Sequence, residues 1–132
     1  MGRPTRIRVS SRALAHNLNI AQQQAPDSRV MAVVKADAYG HGLEWAAEVL
    51  EGAGADAFGV ACIEEGVRLR RAGIGRPVFI LEGIFGREEL HTVQDLGLGL
   101  VLHHPAQVEA GHRDAFPGAL LPQGGQDRKS VV

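Results

Sequence analysis

A lysine ends a wholly apolar run in the first third of the chain. Lys35 directly follows residues 30–34 (VMAVV), which have the pattern of a strand buried on both faces. Ligands of parallel α/β proteins bind beyond the carboxyl ends of the strands. Partial removal from water at such a place favours the neutral form of a lysine amine. Because a neutral amine can form a Schiff base with an aldehyde, the position predicts a nucleophilic lysine.

The residues that follow Lys35 strengthen this interpretation. Tyr39 and His41 supply polar groups, and each is followed by a glycine that lets the backbone approach a ligand closely. A lysine at a strand end, taken alone, more often extends its amine into solvent. The whole string at residues 32–42, AVVKADAYGHG, is what favours a chemical role.

Strands and helices alternate along the rest of the chain. Apolar, β-rich segments predict strands, and apolar stripes with helical spacing predict helices. In the second long helix expected after the lysine, Glu64 and Arg68 have the spacing of an ion pair. The expected strands occupy residues 30–34, 56–61, 77–81 and 98–103, and the helices begin near residues 42, 63, 87 and 105.

A shorter unit precedes this pattern. Residues 6–10 (RIRVS) alternate in polarity and predict a short N-terminal strand. Ser10 or Ser11 is expected to cap the helix that follows, whose apolar face includes Leu14 and Leu18.

Repeated strand–helix units of this length imply a parallel sheet with right-handed crossovers. Two α/β architectures fit such a pattern. One is an open, doubly wound sheet. The other is the first half of a (β/α)8 barrel, a fold of roughly 250 residues in which four units make half of the ring. The pattern alone leaves both architectures open.

The string VVKADAYGHG at residues 33–42 resembles the cofactor-lysine motif of alanine racemases, which use pyridoxal 5'-phosphate (PLP). Residues 63–74 and 77–83 are also similar to that family, at the second helix of its barrel and at its third strand. The resemblance implies a partial TIM-type barrel of about four βα units. It assigns residues 1–121 to the N-terminal part of the PLP-binding domain, about the front third of a family enzyme.

The resemblance also implies roles for two residues. Lys35 would hold PLP as an internal aldimine and act as one of two catalytic bases, and Tyr39 would hydrogen-bond the cofactor phosphate. The family's opposing base is a tyrosine of a later domain, which acts across a homodimer interface. Because no such residue has a counterpart in this chain, we expect the 132 residues to be inactive alone.

The function implied is the interconversion of L- and D-alanine in the cytoplasm, for peptidoglycan precursors. Two rivals remain open at this stage. A PLP carrier without turnover would bind the cofactor through the same lysine, although the extension from Tyr39 to Gly42 argues against it. A racemase of another amino acid, such as serine, would differ in pocket residues beyond this chain.

Composition excludes several other classes. The net charge of −1 gives no reason to expect nucleic acid as a partner, and no apolar run approaches the roughly 20 residues of a membrane span. No apolar region follows the basic N-terminus, so no signal peptide is expected. The single cysteine, Cys62, excludes an intrachain disulfide. His103 and His104 point to opposite sides of a strand, and no metal site is expected.

The C-terminal tail differs in character from the repeating units. Residues 122–132 are polar, contain glycine and fit no strand–helix unit. We expect this tail to be disordered or not to be natural protein. Its last six residues, DRKSVV, resemble a common sequencing-adapter sequence read in frame.

Overall fold

The computed structural model describes residues 2–103. Helices and strands alternate through this part as the sequence predicts, each strand being a little shorter than its apolar run. The elements are α1 (Ser11–Gln24), β1 (Met31–Val33), the short turn α2 (Lys35–Tyr39), α3 (Leu43–Gly52), β2 (Ala57–Val60), α4 (Ile63–Arg71), β3 (Val78–Ile80), α5 (Glu89–Asp95) and β4 (Leu98–Leu100).

The four strands form one parallel sheet in the order β1-β2-β3-β4, which is their order in the chain. Right-handed crossovers between neighbours taken in this order place every connecting helix on the same face of the sheet. A doubly wound sheet needs a reversal of strand order to place helices on both faces, and the described strands contain none. The predicted partial barrel is therefore confirmed.

Burial of the two sheet faces agrees with this winding. On the face that carries the helices, the side chains are nearly inaccessible to water: Val34, Val60, Ile80 and Leu100 are 2%, 0%, 0% and 1% exposed. On the opposite face the residues are half-buried, among them Met31, Val33, Phe79 and Leu81. The second face corresponds to the interior of a barrel, where side chains from other strands would pack.

Close packing joins α4 to the sheet. A Cβ atom built on Gly66 would lie 2.9 Å from the Cδ1 atom of Ile80, so a side chain at this position would have to displace the end of the Ile80 side chain. Leu43 of α3, Phe58 of β2 and Leu69 of α4 are fully buried in the same core. This layer of apolar contacts fixes where the carboxyl ends of the strands lie.

The prediction of an N-terminal strand at residues 6–10 is wrong. These residues have no regular structure, and the side chain of Ile7 is 89% exposed. A strand requires a neighbour to accept and donate its backbone hydrogen bonds, and no strand within residues 2–103 pairs with this segment. The helix after it is confirmed: the hydroxyl of Ser10 accepts a hydrogen bond from the Ala13 N–H, and Leu18 is buried.

Some expectations lie outside the described residues. These are the helix near residue 105, the side chain of His104 and the tail at residues 122–132.

Candidate active site

Lys35 lies at the carboxyl edge of the sheet, where the ladder between β1 and β2 ends. The last ladder bond runs from the Val34 N–H to the carbonyl of Gly59, at 2.9 Å. The alternation of side chains puts Lys35 on the side of Met31 and Val33, the face without helices. Its side chain is half-buried, and within residues 2–103 its amine has no hydrogen-bond or ion-pair partner. The predicted strand-end lysine is thus present with an unpaired amine.

The chain leaves Lys35 in a left-handed turn. Ala36, Asp37, Ala38 and Tyr39 have φ angles of 54°, 56°, 53° and 55°. Left-handed backbone costs an L-residue about 1–2 kcal/mol, so four in succession persist only where surrounding contacts hold them. The turn is closed by backbone bonds, including Ala38 N–H to Val34 O at 2.8 Å and Gly42 N–H to Asp37 O at 2.9 Å.

The two glycines of the motif end this turn. Gly40 has a φ of 86° and Gly42 a φ of 100°, and no side chain or backbone atom would crowd a Cβ at either position. Glycine is therefore required here by backbone conformation and not by space. Gly42 then precedes α3, whose first residue, Leu43, is fully buried.

An ion-pair network holds the turn from the outside. The Asp37 carboxylate accepts hydrogen bonds from the Leu43 N–H at 2.9 Å and from Arg68 at 3.2 Å. The Arg68 guanidinium also donates twice to Glu44, at 2.7 and 2.8 Å. The backbone bond from Leu43, and then the bond from Arg68, lower the pKa of Asp37, and Arg68 lowers the pKa of Glu44.

The prediction of an ion pair between Glu64 and Arg68 is wrong. Arg68 points toward the lysine turn and pairs with Asp37 and Glu44, while Glu64 interacts with the thiol of Cys62. Helical spacing makes residues i and i+4 neighbours, but it does not outweigh two carboxylates that tertiary packing brings to one guanidinium.

A further carboxylate, that of Glu65, binds the backbone just after β1 and just after β2. Glu65 accepts a hydrogen bond from the Ala36 N–H at 3.0 Å and another from the Ala61 N–H at 2.8 Å. Glu65 thus joins the peptide after Lys35 to the peptide after β2. Sequence reasoning missed Glu65 and gave Arg68 a different partner, although a glutamate at the third position of a helix is a recognisable signal of a helix start.

The other candidates are placed as follows. The ring of Tyr39 is 49% exposed, and its hydroxyl has no partner in the part of the chain described. The Nδ1 atom of His41 lies 2.9 Å from the carbonyl of Ala38. Cys62 is half-buried just before α4, and burial raises the pKa of its thiol. The Nε2 atom of His103 lies 2.7 Å from the carbonyl of Leu81.

Metal and membrane features are absent from the described part. Among residues 2–103, no group of three or more His, Cys, Asp or Glu side chains is arranged to hold a metal ion. No helix over the same residues combines the length and apolar character needed to cross a bilayer.

A parallel sheet wound in one direction, with a lysine after its first strand whose amine is unpaired within residues 2–103, defines a class of protein. The described residues form part of an α/β barrel, with the candidate site at the carboxyl edge of the strands. Residues 9–116 match the family model for the alanine racemase N-terminal domain. The chain belongs to this family.

Curated relatives and solved structures agree with that assignment. The chain is 42% identical to the alanine racemase of Actinobacillus succinogenes and 47% identical to the catabolic alanine racemase of Pseudomonas aeruginosa, over 89% of its own length in both cases. It spans only 33% and 32% of those two proteins. The structure of alanine racemase from Acinetobacter baumannii matches 86% of the chain with a TM-score of 0.78 and 36% identity, and the chain covers 34% of it.

Proposed function

We propose that the whole protein is a PLP-dependent alanine racemase and that Lys35 is its cofactor lysine. The observation that carries this proposal is the position of Lys35, a half-buried residue at the carboxyl edge of a barrel-type sheet whose amine is unpaired within the described residues. The similarity to proteins named alanine racemase supports the choice of substrate. The chain spans about a third of the length of those relatives, so the activity is proposed for the whole protein and not for these residues alone.

The residues present fit PLP by their chemistry. The Lys35 amine, which has no competing partner within residues 2–103, would be available to the cofactor aldehyde. The exposed hydroxyl of Tyr39 is available to donate to a phosphate oxygen. The left-handed turn separates the two residues along the chain and is held by bonds to α3 and α4, so both start from a fixed backbone.

When bound, PLP acts as an electron sink that acidifies the Cα–H bond of an amino acid attached to it. With the cofactor bound, Lys35 Nζ would accept the Cα proton on its own face of the substrate and return it there. Inversion also requires a proton donor on the opposite face. We propose, from the resemblance, that a tyrosine of a partner subunit in a homodimer provides that second group.

A racemase of another amino acid is the second candidate. The structure of a histidine racemase from Leuconostoc mesenteroides matches 77% of the chain with a TM-score of 0.71 and 29% identity. In the proposed reaction, Lys35 would act on groups common to every amino acid, the amine and the Cα proton. Substrate choice therefore depends on side chains elsewhere in the whole protein.

The proposal is tested by trapping the cofactor. The whole protein is incubated with PLP, reduced with borohydride and digested, and the peptides are mapped by mass spectrometry. We expect the pyridoxyl label on Lys35. Lys35→Ala should abolish both the label and L- to D-alanine conversion, whereas Lys129→Ala, at the other lysine of this chain, should preserve both. A label on a different lysine contradicts the site.

Turnover separates the remaining alternatives. A label on Lys35 without racemisation of any amino acid would identify a PLP carrier. Conversion of serine or histidine in preference to alanine would correct the substrate. We also propose a cytoplasmic location, with which the single cysteine agrees because reducing compartments do not sustain disulfides.

A further inference from the structure

The hydrogen-bond ladder between β1 and β2 stops one step before the lysine turn. In a parallel pair, the pattern that includes the bond from Val34 N–H to Gly59 O would continue with Ala61 N–H to Val34 O and Ala36 N–H to Ala61 O. Val34 O instead accepts from the Ala38 N–H at 2.8 Å, within the turn. The N–H groups of Ala36 and Ala61 therefore lose their ladder partners.

The Glu65 carboxylate replaces both missing partners. Its Oε1 atom accepts from Ala36 at 3.0 Å and its Oε2 atom from Ala61 at 2.8 Å. Each oxygen serves one donor, and a charged acceptor makes these bonds stronger than neutral ones. The side chain is half-buried at the start of α4, which the core holds against β3 through Gly66 and Leu69. Glu65 is therefore carried by a helix whose position is fixed by the core.

The bond to Ala36 acts on Lys35 itself. The Ala36 N–H belongs to the planar peptide group that joins Lys35 to Ala36. Holding that group fixes ψ of Lys35 and the entry into the left-handed turn, where Ala36 has a φ of 54°. The bond to Ala61 differs in kind, because the Ala61 N–H lies two residues before α4 and the bond connects the end of β2 to that helix. A purely structural role would need only the Ala61 bond.

We propose that Glu65 is the positioning residue for Lys35: it replaces the last rungs of the β1–β2 ladder and thereby sets the direction in which the lysine side chain leaves the sheet. The proposal rests on the proposed function of Lys35 as the cofactor lysine. In this role Glu65 acts through the backbone next to Lys35 and needs no contact with the cofactor or the substrate.

The main test compares Glu65→Gln with Glu64→Gln in the whole protein. Glutamine keeps the length of the side chain but presents one acceptor oxygen and one NH2 group, so one of the two N–H donors loses its partner. Glu64 is the matched control, because it is the adjacent residue of the same helix turn and does not bond to Ala36. The measured quantity is the first-order rate at which saturating PLP becomes fixed on Lys35 by borohydride.

We expect Glu65→Gln to slow this rate roughly 10- to 100-fold, since small misplacements of a reacting group have effects of that size. Glu64→Gln should stay within about twofold of the wild type, as for an exposed group away from the reacting atoms. Circular-dichroism melting confirms that each variant is folded at the assay temperature. A wild-type trapping rate in folded Glu65→Gln overturns the proposal.

A second measurement needs no variant and no cofactor. Hydrogen exchange of the wild-type protein, resolved by fragmentation of a peptide spanning residues 31–43, reports the Ala36 amide directly. We expect Ala36 to exchange at least about tenfold more slowly than an unprotected amide, because it donates to a charged acceptor. Exchange of Ala36 at the unprotected rate overturns the proposal even if Glu65→Gln does not fold.

The two proposals fail in different ways. If the wild-type protein never fixes pyridoxal on Lys35, the proposed function is wrong and the positioning role falls with it. If the wild type is labelled on Lys35 and folded Glu65→Gln is labelled equally fast, only the positioning role is wrong.

Discussion

The helix-covered face of the sheet and its carboxyl edge after β1 and β2 are built by different forces. On the covered face the contacts are apolar, and the large side chains Phe58, Val60 and Ile80 are fully buried. At the edge, by contrast, the polar residues Lys35, Asp37 and Glu65 are half-buried or exposed. The backbone there is left-handed, and the carboxylates of Asp37 and Glu65 hold it through hydrogen bonds to Leu43 and Ala36.

The difference shows how the molecule separates stability from reactivity. Burial of apolar surface has no preferred direction and contributes in proportion to area, so it can hold strands and helices together without defining a reactive geometry. Hydrogen bonds are directional, and several of them converge on the residues next to Lys35. The edge can therefore hold an unfavourable backbone while the lysine amine has no partner among residues 2–103.

The largest expected effect concerns the covered face. Phe58→Ala should lower the free energy of unfolding of the whole protein by about 3–5 kcal/mol, because it removes a fully buried aromatic ring and leaves a cavity. Urea denaturation measures the change. Phe85, which is 84% exposed, is the matched control, and Phe85→Ala should change stability by less than about 0.5 kcal/mol. Equal effects for the two variants would contradict the assigned burial.

An intermediate effect is expected where the edge joins the core. Gly42 has φ 100° and ψ 112°, a conformation that side chains rarely adopt, so Gly42→Ala should destabilise by about 1–3 kcal/mol. Gly52→Ala is the control variant, for which we expect the opposite change in stability. Gly52 ends α3 with open space around it, and alanine there should stabilise by about 0.5–1 kcal/mol. Thermal melts of both variants would show whether the edge is strained as described.

The smallest effect should come from acid titration of the edge. The pKa of Asp37 is lowered from 3.8 by its bonds to Leu43 and Arg68. Its stabilising contribution is therefore fully present well above pH 3.8 and is lost as the pH falls through the lowered folded value. We expect the stability difference between wild type and Asp37→Asn to be constant above about pH 5 and to narrow below pH 3.8. A difference that grows toward acid pH would contradict the direction of this shift.

The core pattern and the lysine motif could be predicted from local residue types. Apolar runs at residues 30–34, 56–61, 77–81 and 98–103 each contain an observed strand, because a strand buried on both faces must be apolar throughout. The short segment at residues 6–10 had the right alternation and still formed no strand. Alternation describes one chain segment, whereas a strand needs a second segment beside it.

The polar part of the site could be predicted only in part. Lys35, Tyr39 and the glycines stand next to one another in the sequence, so their grouping requires no tertiary contact. The partner of Arg68 was predicted incorrectly because helical spacing considers only neighbours on the same helix.

The sequence by itself determined the alternation of strands and helices, the apolar core and the identity of the motif around Lys35, since all of these depend on residues close together in the chain. Tertiary structure decided that the helices cover one face, because only strand order distinguishes a barrel from a doubly wound sheet. It also decided that Glu65 reaches Ala36 across 29 positions of the chain. A hydrogen bond between residues so distant exists only after packing has placed α4 beside the end of β1, and no local pattern can encode it.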